Sequence, residues 1–385
     1  METKAPKLSE RTRWQLDDNA LSRAVAEARR RGPILDLTES NPTRAGLSPG
    51  SEMLGELSHP RGATYEPLAL GHEDARAAIA AYYRDRGVVV DGARIVLSAS
   101  TSEAYAWLFK LLCDRDDAVL VPQPSYPLFE YLATLEDVRL VPYPLMRESG
   151  FRINLAALEA AIDDRTRAIL LVHPNNPTGT LVRPDEAEAL EQLANRHGLA
   201  LIVDEVFGDY AEGAFTFAGR RRAMSFVLSG LSKVVAMPQV KLGWIVAEGP
   251  FVDEAFARLE VIADTYLSVS TPIQRALPAI LGNRANVQNA IRARVAENLR
   301  TLDDALLYAL SIRRLPLDGG WSVVLEVPRT REDWAEVLVA EAGVLVHPGY
   351  FFDFEREGVL VLSLLPEPQT FARAIAAMIA RITRD

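Results

Sequence analysis

The sequence predicts an α/β protein, with a large domain whose mostly parallel seven-stranded sheet is flanked by helices and a smaller α+β domain built from both termini. Short β-branched and apolar runs alternate with helical patterns between residues 94 and 247, which is typical of a parallel sheet covered on both faces. After residue 250 the pattern changes to long helices followed by separated strands. The length of 385 residues suits two domains.

Seven apolar runs predict the strands of the large sheet. They cover residues 94–97, 118–121, 138–141, 168–172, 199–203, 225–228 and 244–247. Helical patterns between them cover residues 102–113, 128–135, 155–162 and 184–197. In a sheet of this kind ligands bind beyond the carboxyl ends of the strands. The residues that follow each run are therefore the candidates for a functional site.

The remaining parts of the chain predict an arm and the smaller domain. We expect an N-terminal arm and small-domain segment at 1–45, a large cofactor-binding domain at 46–275 and a small C-terminal domain at 276–385. Helices are predicted at 21–30, from 71 to 83, at 250–267, 285–310, 331–342 and 368–383, and further strands at 321–327 and 358–364.

The composition limits the classes of partner. The net charge of −10 argues against general binding to nucleic acids and against an anionic membrane surface. No apolar run approaches the roughly 18 residues that a membrane span requires. The single cysteine, Cys113, and five histidines without paired spacing predict no metal site. We expect a cytoplasmic protein that acts on small molecules.

A lysine lies just beyond the strand predicted at 225–228. Ser232 and Lys233 follow Gly230, where the strand pattern ends. A lysine in such a place can hold a carbonyl cofactor as a Schiff base if partial burial lowers its pKa. The alternative is a solvated surface lysine, which is the commoner case after a strand. Lys233 becomes a candidate catalytic residue because other strand ends carry matching groups.

Hydroxyl side chains follow the strand predicted at 94–97. Ser100, Thr101 and Ser102 stand at the start of the next predicted helix. Free backbone N–H groups and the helix dipole make such a helix start an anion site, and the hydroxyls add donors. An ordinary N-cap explains one hydroxyl but does not require three. The sequence contains no G-x-G-x-x-G or Walker loop, so neither a dinucleotide nor a nucleoside triphosphate is predicted.

Three further strand ends carry groups suited to a planar ring. Tyr126, held between prolines, is either a core residue or a stacking platform. Asn176 brings an amide donor to a strand end, although turn structure alone could explain its segment. Asp204 follows five apolar residues, where a carboxylate is costly to bury unless a positive or protonated group faces it.

Together these groups match the needs of pyridoxal 5′-phosphate. A carboxylate keeps the pyridine nitrogen protonated, so that the ring can act as an electron sink. The hydroxyls hold the phosphate, the amide bonds the ring oxygen, and the lysine holds the aldehyde. The sequence therefore predicts this cofactor.

The same stretches resemble, in the same order, the fold-type I pyridoxal-phosphate enzymes of aminotransferase class I/II. The resemblance covers nearly the whole chain. Its motifs are Tyr65 and Gly71 with Arg76, residues 100–104, Pro124-x-Tyr126-Pro127, Asn175-Asn176-Pro177-Thr178-Gly179, Asp204-Glu205-Val206, Ser232-Lys233, Gly243-Trp244 and Pro348-Gly349.

The resemblance implies an aminotransferase that moves an amino group between a small-molecule amino donor and an oxo acid. Lys233 would form the Schiff base and shuttle a proton, Asp204 would pair with the pyridinium, and Asn176 would bond the ring oxygen. In the family the tyrosine matching Tyr65 reaches the neighbouring subunit's phosphate, which implies a homodimer with shared active sites. The other implied cofactor contacts are Ser100, Thr101, Ser102, Tyr126, Phe207, Ser232 and Lys241.

Three cofactor positions depart from the family pattern. Phe207 replaces a tyrosine whose hydroxyl bonds the ring oxygen, and Gly230 replaces a serine that donates to the phosphate. Lys241 replaces an arginine and so offers a point charge in place of a bidentate fork.

A fourth departure concerns the substrate. Val361 falls on the family's arginine for the substrate α-carboxylate. Either another cation reads that carboxylate, with Arg44 and Arg356 as candidates, or the substrate lacks it. The segment with Ser40, Asn41 and Arg44 lies over the substrate in the family, which makes Arg44 the better candidate.

Two other functions stay open on the sequence alone. A different reaction at Cα, by a decarboxylase or a C–S or C–C lyase, would use the same cofactor and differ in which bond is broken. A non-catalytic binding protein on the same fold would explain Val361 and Phe207 as lost functional residues. The retained lysine, carboxylate and amide favour the enzyme.

Overall fold

A computed structural model describes residues 6–219 and 221–384. Residues 1–5 of the predicted N-terminal arm lie outside the described residues. The strands are β1 (Leu35–Asp36), β2 (Ile95–Ser98), β3 (Ala118–Gln123), β4 (Arg139–Met146), β5 (Arg152–Ile153), β6 (Thr166–Val172), β7 (Ala200–Asp204), β8 (Ser225–Gly230), β9 (Gly243–Glu248), β10 (Arg313–Arg314), β11 (Ser322–Glu326), β12 (Val344–Leu345), β13 (His347–Pro348) and β14 (Val359–Ser363).

The helices alternate with the strands of the large sheet and then dominate the last third of the chain. They are α1 (Ala20–Arg31), α2 (Ser51–Gly55), α3 (Glu73–Asp85), α4 (Thr101–Leu112), α5 (Leu128–Leu135), α6 (Leu155–Ala160), α7 (Pro184–His197), α8 (Leu231–Val234), α9 (Val252–Tyr266), α10 (Thr271–Gly282), α11 (Arg284–Leu306), α12 (Trp334–Val337) and α13 (Pro368–Ile382).

The large sheet confirms the predicted α/β fold class. Its strand order is β2-β9-β8-β7-β6-β3-β4-β5. Strands β8, β7, β6, β3 and β4 run parallel, whereas β9 is antiparallel to both of its neighbours. All seven predicted strands are present. The two-residue β5 adds an eighth, antiparallel to β4, which the sequence analysis did not predict.

Both faces of the sheet are buried over β2, β3, β6, β7, β8 and β9, which explains why these strands are mostly apolar. Leu97, Leu120 and Leu201 belong to one core beneath α3, α7 and α10. Val96 and Val119, their neighbours along the strands, belong to a second core on the opposite face, beneath α4, α5 and α9. Successive side chains of a strand point to opposite faces, so a two-sided core requires an apolar residue at nearly every position.

A smaller unit combines the two ends of the chain. Its four-stranded sheet has the order β10-β11-β14-β13, and β1 pairs with β12 in a separate parallel ladder. Leu21 and Leu37 from the N-terminal part share one core with Phe371 from α13. The domain limits given above stay a prediction, and the limit at 275/276 falls inside α10.

Several helical segments differ from the sequence predictions, and the short helices α2 and α8 were not predicted at all. Helix α10 was not predicted because Pro272 and Pro278 interrupt its helical pattern. Pro272 lies in the first turn, where no intrahelical N–H bond is lost. The helix predicted at 331–342 begins only at Trp334 and continues as a π-helix over Leu338–Ala342. In the described part of the chain, no helix combines the length and apolarity needed to cross a bilayer.

Candidate active site

The chain forms a cavity of about 430 Å³ at one edge of the large sheet. The carboxyl ends of β2, β3, β6, β7 and β8 meet there. The start of β9 joins them because β9 is antiparallel, with Gly243 opposite both Ser98 and Gly230. Most of the predicted site residues line this cavity: Ser40, Ser100, Thr101, Ser102, Tyr126, Asn176, Asp204, Phe207, Ser232, Lys233 and Lys241.

Three predicted site residues lie elsewhere. Asn41 and Arg44 do not line the cavity, and the Arg44 side chain is 77% exposed, with its guanidinium 3.9 Å from Glu39. Tyr65 is 70% exposed and lines a separate surface groove with residues 264–274. Within a single chain Tyr65 therefore does not line the cavity.

Lys233 lies in the short helix α8, directly after β8, and its amine points into the cavity. Its Nζ lies 4.9 Å from the ring centre of Trp321 and 5.5 Å from that of Phe207. Burial lowers the pKa of Lys233 to about 8, although the Asp204 carboxylate acts in the opposite direction. The hydroxyl of Tyr210 donates to the Lys233 carbonyl oxygen over 2.7 Å and holds the backbone in place.

Asp204 is the last residue of β7 and is almost fully buried. Its Oδ1 accepts the backbone N–H of Val206 at 2.9 Å, and its Oδ2 accepts the hydroxyl of Tyr105 at 2.8 Å. Burial raises the pKa of Asp204, while these two hydrogen bonds and the charge of Lys233 partly offset that shift. The carboxylate is thus held in one orientation beside the cavity.

The start of α4 offers hydrogen-bond donors to the cavity. Ser100 is the N-cap, and its hydroxyl accepts the Glu103 N–H at 3.2 Å. Within the described residues, the hydroxyls of Thr101, Ser102 and Ser232 make no hydrogen bond, although all three side chains line the cavity. One hydroxyl therefore caps the helix, and three others remain available to a ligand.

The neighbouring asparagines at the end of β6 have different surroundings. Asn175 is buried, and its amide donates to Pro124 O at 3.2 Å and to Thr178 Oγ1 at 2.9 Å. Asn176 is half-buried and lines the cavity, and its side chain makes no hydrogen bond to other described residues. Asn175 therefore builds the turn, whereas Asn176 is left to contact a ligand.

Aromatic side chains form the walls. Tyr126 meets Phe129 edge to face, with ring centres 5.7 Å apart. Phe207 packs edge to face on Trp321 at 5.0 Å. The phenyl ring of Phe207 is thus part of a continuous aromatic wall, and it offers no hydroxyl to a ligand.

Four residues at or beside the cavity were not predicted from the sequence: Tyr105, Tyr210, Trp321 and His347. Tyr105 follows Thr101 by four residues on α4, and this helical spacing could have placed it on the same side as the hydroxyls. Tyr210 contacts the backbone of Lys233 from a 3-10 turn, for which the sequence gives no signal. Trp321 and His347 come from the smaller unit and reach the cavity only through the tertiary fold.

The match to known proteins agrees with this geometry. Residues 53–377 match the family described as aminotransferase class I and II. The chain therefore belongs to the class I and II aminotransferases, and it is a transaminase. The resemblance noted in the sequence is confirmed.

The individual relatives are distant in sequence, but their matches cover most of this chain. A valine–pyruvate aminotransferase from Mycobacterium tuberculosis is 26% identical over 349 residues, covering 88% of this chain and 88% of the relative. A tyrosine aminotransferase from Caenorhabditis elegans is 25% identical over 336 residues, covering 83% and 72%. The fold matches that of an alanine aminotransferase from Pyrococcus furiosus with a TM-score of 0.87 at 22% identity, over 98% of this chain and 100% of that one.

Proposed function

We propose that the cavity binds pyridoxal 5′-phosphate on Lys233, and that the enzyme uses it to transfer an amino group between a small-molecule amino donor and an oxo acid. The observation that carries this proposal is that Lys233 and Asp204 line the same cavity as three hydroxyls without hydrogen-bond partners among the residues that the structure describes, and burial shifts the pKa values of the two residues in opposite directions. Such a pair in a cleft is a functional-site signature with a physical cause.

The residues present fit this cofactor. Thr101, Ser102 and Ser232 offer three unused hydroxyls, and the start of α4 favours an anion, so the phosphate would be held there. Lys241 adds a positive charge from the start of β9. Asn176 would donate its amide to the ring oxygen.

The ring would lie between the aromatic walls, with its nitrogen toward Asp204. When bound, pyridoxal phosphate supplies an aldehyde for the amino group and a ring that accepts electrons as the Cα proton leaves. The negative charge of Asp204 would keep the ring nitrogen protonated. Val206 and Tyr105 orient the two carboxylate oxygens for this contact. Tyr126 would stack on one face of the ring.

Lys233 would have two roles, holding the cofactor and moving a proton. A pKa of about 8 leaves roughly a tenth of the amine neutral at pH 7, and an attacking amine and a general base both require the neutral form. Its Nζ would take the proton from the donor's α-carbon and deliver it to the cofactor carbon that carried the aldehyde. While the amine carries the proton, the rings of Phe207 and Trp321 would stabilise its charged form.

The direct test is a half-reaction with a panel of amino donors. The absorbance of the bound aldehyde should convert to that of the amine form, with one equivalent of oxo product per site. Lys233→Ala should abolish this conversion, whereas Lys7→Ala, at an exposed lysine, should leave it unchanged. Conversion at near wild-type rate by Lys233→Ala would contradict the proposal.

We also propose a homodimer with shared active sites, located in the cytoplasm. The exposed Tyr65 lies beside Leu68, and Leu267 lies across the same groove, so this surface offers apolar area to a second copy. A tyrosine reaching across such an interface could donate to the partner's phosphate. The single cysteine suits a reducing compartment.

A further inference from the structure

One wall of the cavity comes from the small domain and is not used by the proposed cofactor contacts. His347 of β13 lies directly opposite Val361 of β14 in an antiparallel pair. Directly opposite residues of such a pair project from the same face. Both residues line the cavity, and they form what we call the Val361–His347 corner.

The corner has aromatic and apolar surroundings. Val361 is 1% exposed and packs in a small apolar cluster with Val324 and Phe352. The His347 ring lies 5.8 Å from the rings of both Phe351 and Phe352. A group of the substrate that enters this corner therefore loses most of its contact with water.

The corner offers no fixed positive charge to a substrate. Over residues 6–219 and 221–384, the lysine and arginine side chains that line the cavity are Lys233 and Lys241, and both have proposed cofactor contacts. Arg356 does not line the cavity, and its guanidinium lies 3.9 Å from Glu326. The nearby charge that acts on His347 is negative, from Asp36.

His347 itself is available for a hydrogen bond. Neither ring nitrogen has a hydrogen-bond partner among the described residues. Burial lowers the pKa of His347 below its usual value, and Asp36 only partly opposes this shift. A neutral imidazole offers one N–H donor and one acceptor nitrogen.

We infer that the Val361–His347 corner accepts an uncharged polar group of the amino donor, of the carboxamide or ester class, through a hydrogen bond to the His347 imidazole. The inference rests on the proposed function, because it assigns the substrate class of the same site. A free carboxylate in this corner would lose its hydration beside Asp36 without gaining a cation, and such burial is strongly unfavourable. A carboxamide carries no net charge and can use both the donor and the acceptor of the imidazole.

Calorimetric titration of the holoenzyme tests this inference with two ligands that lack an amine and cannot react. Hydrocinnamamide and hydrocinnamate differ only in the carboxamide and carboxylate, and their phenyl ring suits the aromatic walls. Wild type should bind the amide at least about tenfold more tightly. Val361→Arg should reverse this preference, since arginine pairs with a carboxylate.

The His347→Phe variant separates the imidazole from the shape of the corner. It keeps an aromatic ring and removes both nitrogens, so the affinity for hydrocinnamamide should fall roughly fivefold, the value of one neutral hydrogen bond. Unchanged affinity would overturn the role of His347. Tighter binding of hydrocinnamate by wild type, with the cofactor present on Lys233, would overturn the inference alone. A purified enzyme without cofactor on Lys233 would contradict the proposed function instead.

Discussion

Lys233 and Asp204 line one cavity, and burial opposes the charge of each. For Lys233 the pKa falls to about 8, and for Asp204 it rises. Each side chain partly offsets the shift of the other by its charge. At the scale of single residues, burial keeps part of the Lys233 amine neutral and therefore reactive. The Asp204 carboxylate lies close enough to act on the charge of this amine.

The first prediction concerns the pH dependence of cofactor uptake by the apoenzyme. The reaction of Lys233 with the cofactor aldehyde needs the neutral amine, so its rate should rise with pH through a midpoint near 8, below the ordinary lysine value of 10.5. Stopped-flow absorbance over a pH series measures this midpoint. Because Asp204 raises the pKa of Lys233, Asp204→Asn should move the midpoint to lower pH. A wild-type midpoint at the ordinary lysine value would refute this account.

The second prediction concerns Tyr105, whose hydroxyl orients Asp204. Tyr105→Phe leaves one carboxylate oxygen without its partner, and we expect a loss of about 1–3 kcal/mol in the free energy of unfolding of the apoenzyme. The pKa of Asp204 should rise, because this hydrogen bond lowers it. Denaturant unfolding measures the first effect, and the absorbance of the bound cofactor reports the second.

Tyr143→Phe is the matched control for Tyr105→Phe. Tyr143 is equally buried in the large sheet region, and its hydroxyl donates to Leu170 O at 2.9 Å, away from the cavity. It should lose a similar amount of stability and leave the cofactor spectrum unchanged. If both variants shift the spectrum alike, Tyr105 has no specific role at Asp204.

At the scale of secondary-structure elements, the close approach of β8 and β9 explains the glycine at position 230. A Cβ on Gly230 would lie 3.0 Å from both Gly243 Cα and Leu242 O. A larger side chain there would have to push apart the end of β8, which Lys233 follows, and the start of β9, which Lys241 precedes. Gly230 therefore fits the close approach of β8 and β9 at this point.

The third prediction follows from that contact. Gly230→Ala should destabilise the protein by about 1–3 kcal/mol, because the backbone atoms of β9 cannot move away freely. Gly50→Ala is the control, because no atom lies within 4 Å of a Cβ at that position. It should change the stability by less than about 0.5 kcal/mol. Equal unfolding midpoints for the two variants would show that the strands tolerate the added methyl.

The sequence predicted those parts of the site that follow strands of the large sheet. Lys233, Asp204 and Asn176 each come just after or at the end of an apolar run, and parallel strands bring such ends to one edge. The Val361–His347 corner could not be predicted in this way. It depends on the register of β13 and β14 and on how the small domain packs against the large sheet. Helical spacing places Tyr105 on the same side of α4 as Thr101, but no sequence pattern shows that its hydroxyl donates to Asp204.

At the scale of the whole molecule, the cavity needs both units of the chain. The sheet edge supplies the lysine, the carboxylate and the hydroxyls, and the small unit supplies Trp321, His347 and Val361. The proposed second subunit would complete the site through Tyr65.

The fourth prediction tests that subunit contact. Light scattering should give a dimer, and Tyr65→Phe should weaken cofactor retention by roughly 0.5–1.5 kcal/mol, or up to about 3 kcal/mol if the hydrogen bond is charge-assisted. Tyr308→Phe is the control, because Tyr308 is 89% exposed and remote from that groove. Retention is measured by dialysis against buffer and absorbance. A fully active monomer at the assay concentration would contradict the shared site.

The central claim is that Lys233 carries the cofactor, and reduction with borohydride tests it most directly. The purified holoenzyme is reduced, digested and analysed by mass spectrometry for a pyridoxyl group on lysine. The account predicts one label per chain, on the peptide that contains Lys233, and none on the Lys233→Ala variant. A label on Lys241 or Lys110 with Lys233 unmodified, or an active enzyme without any label, would contradict it.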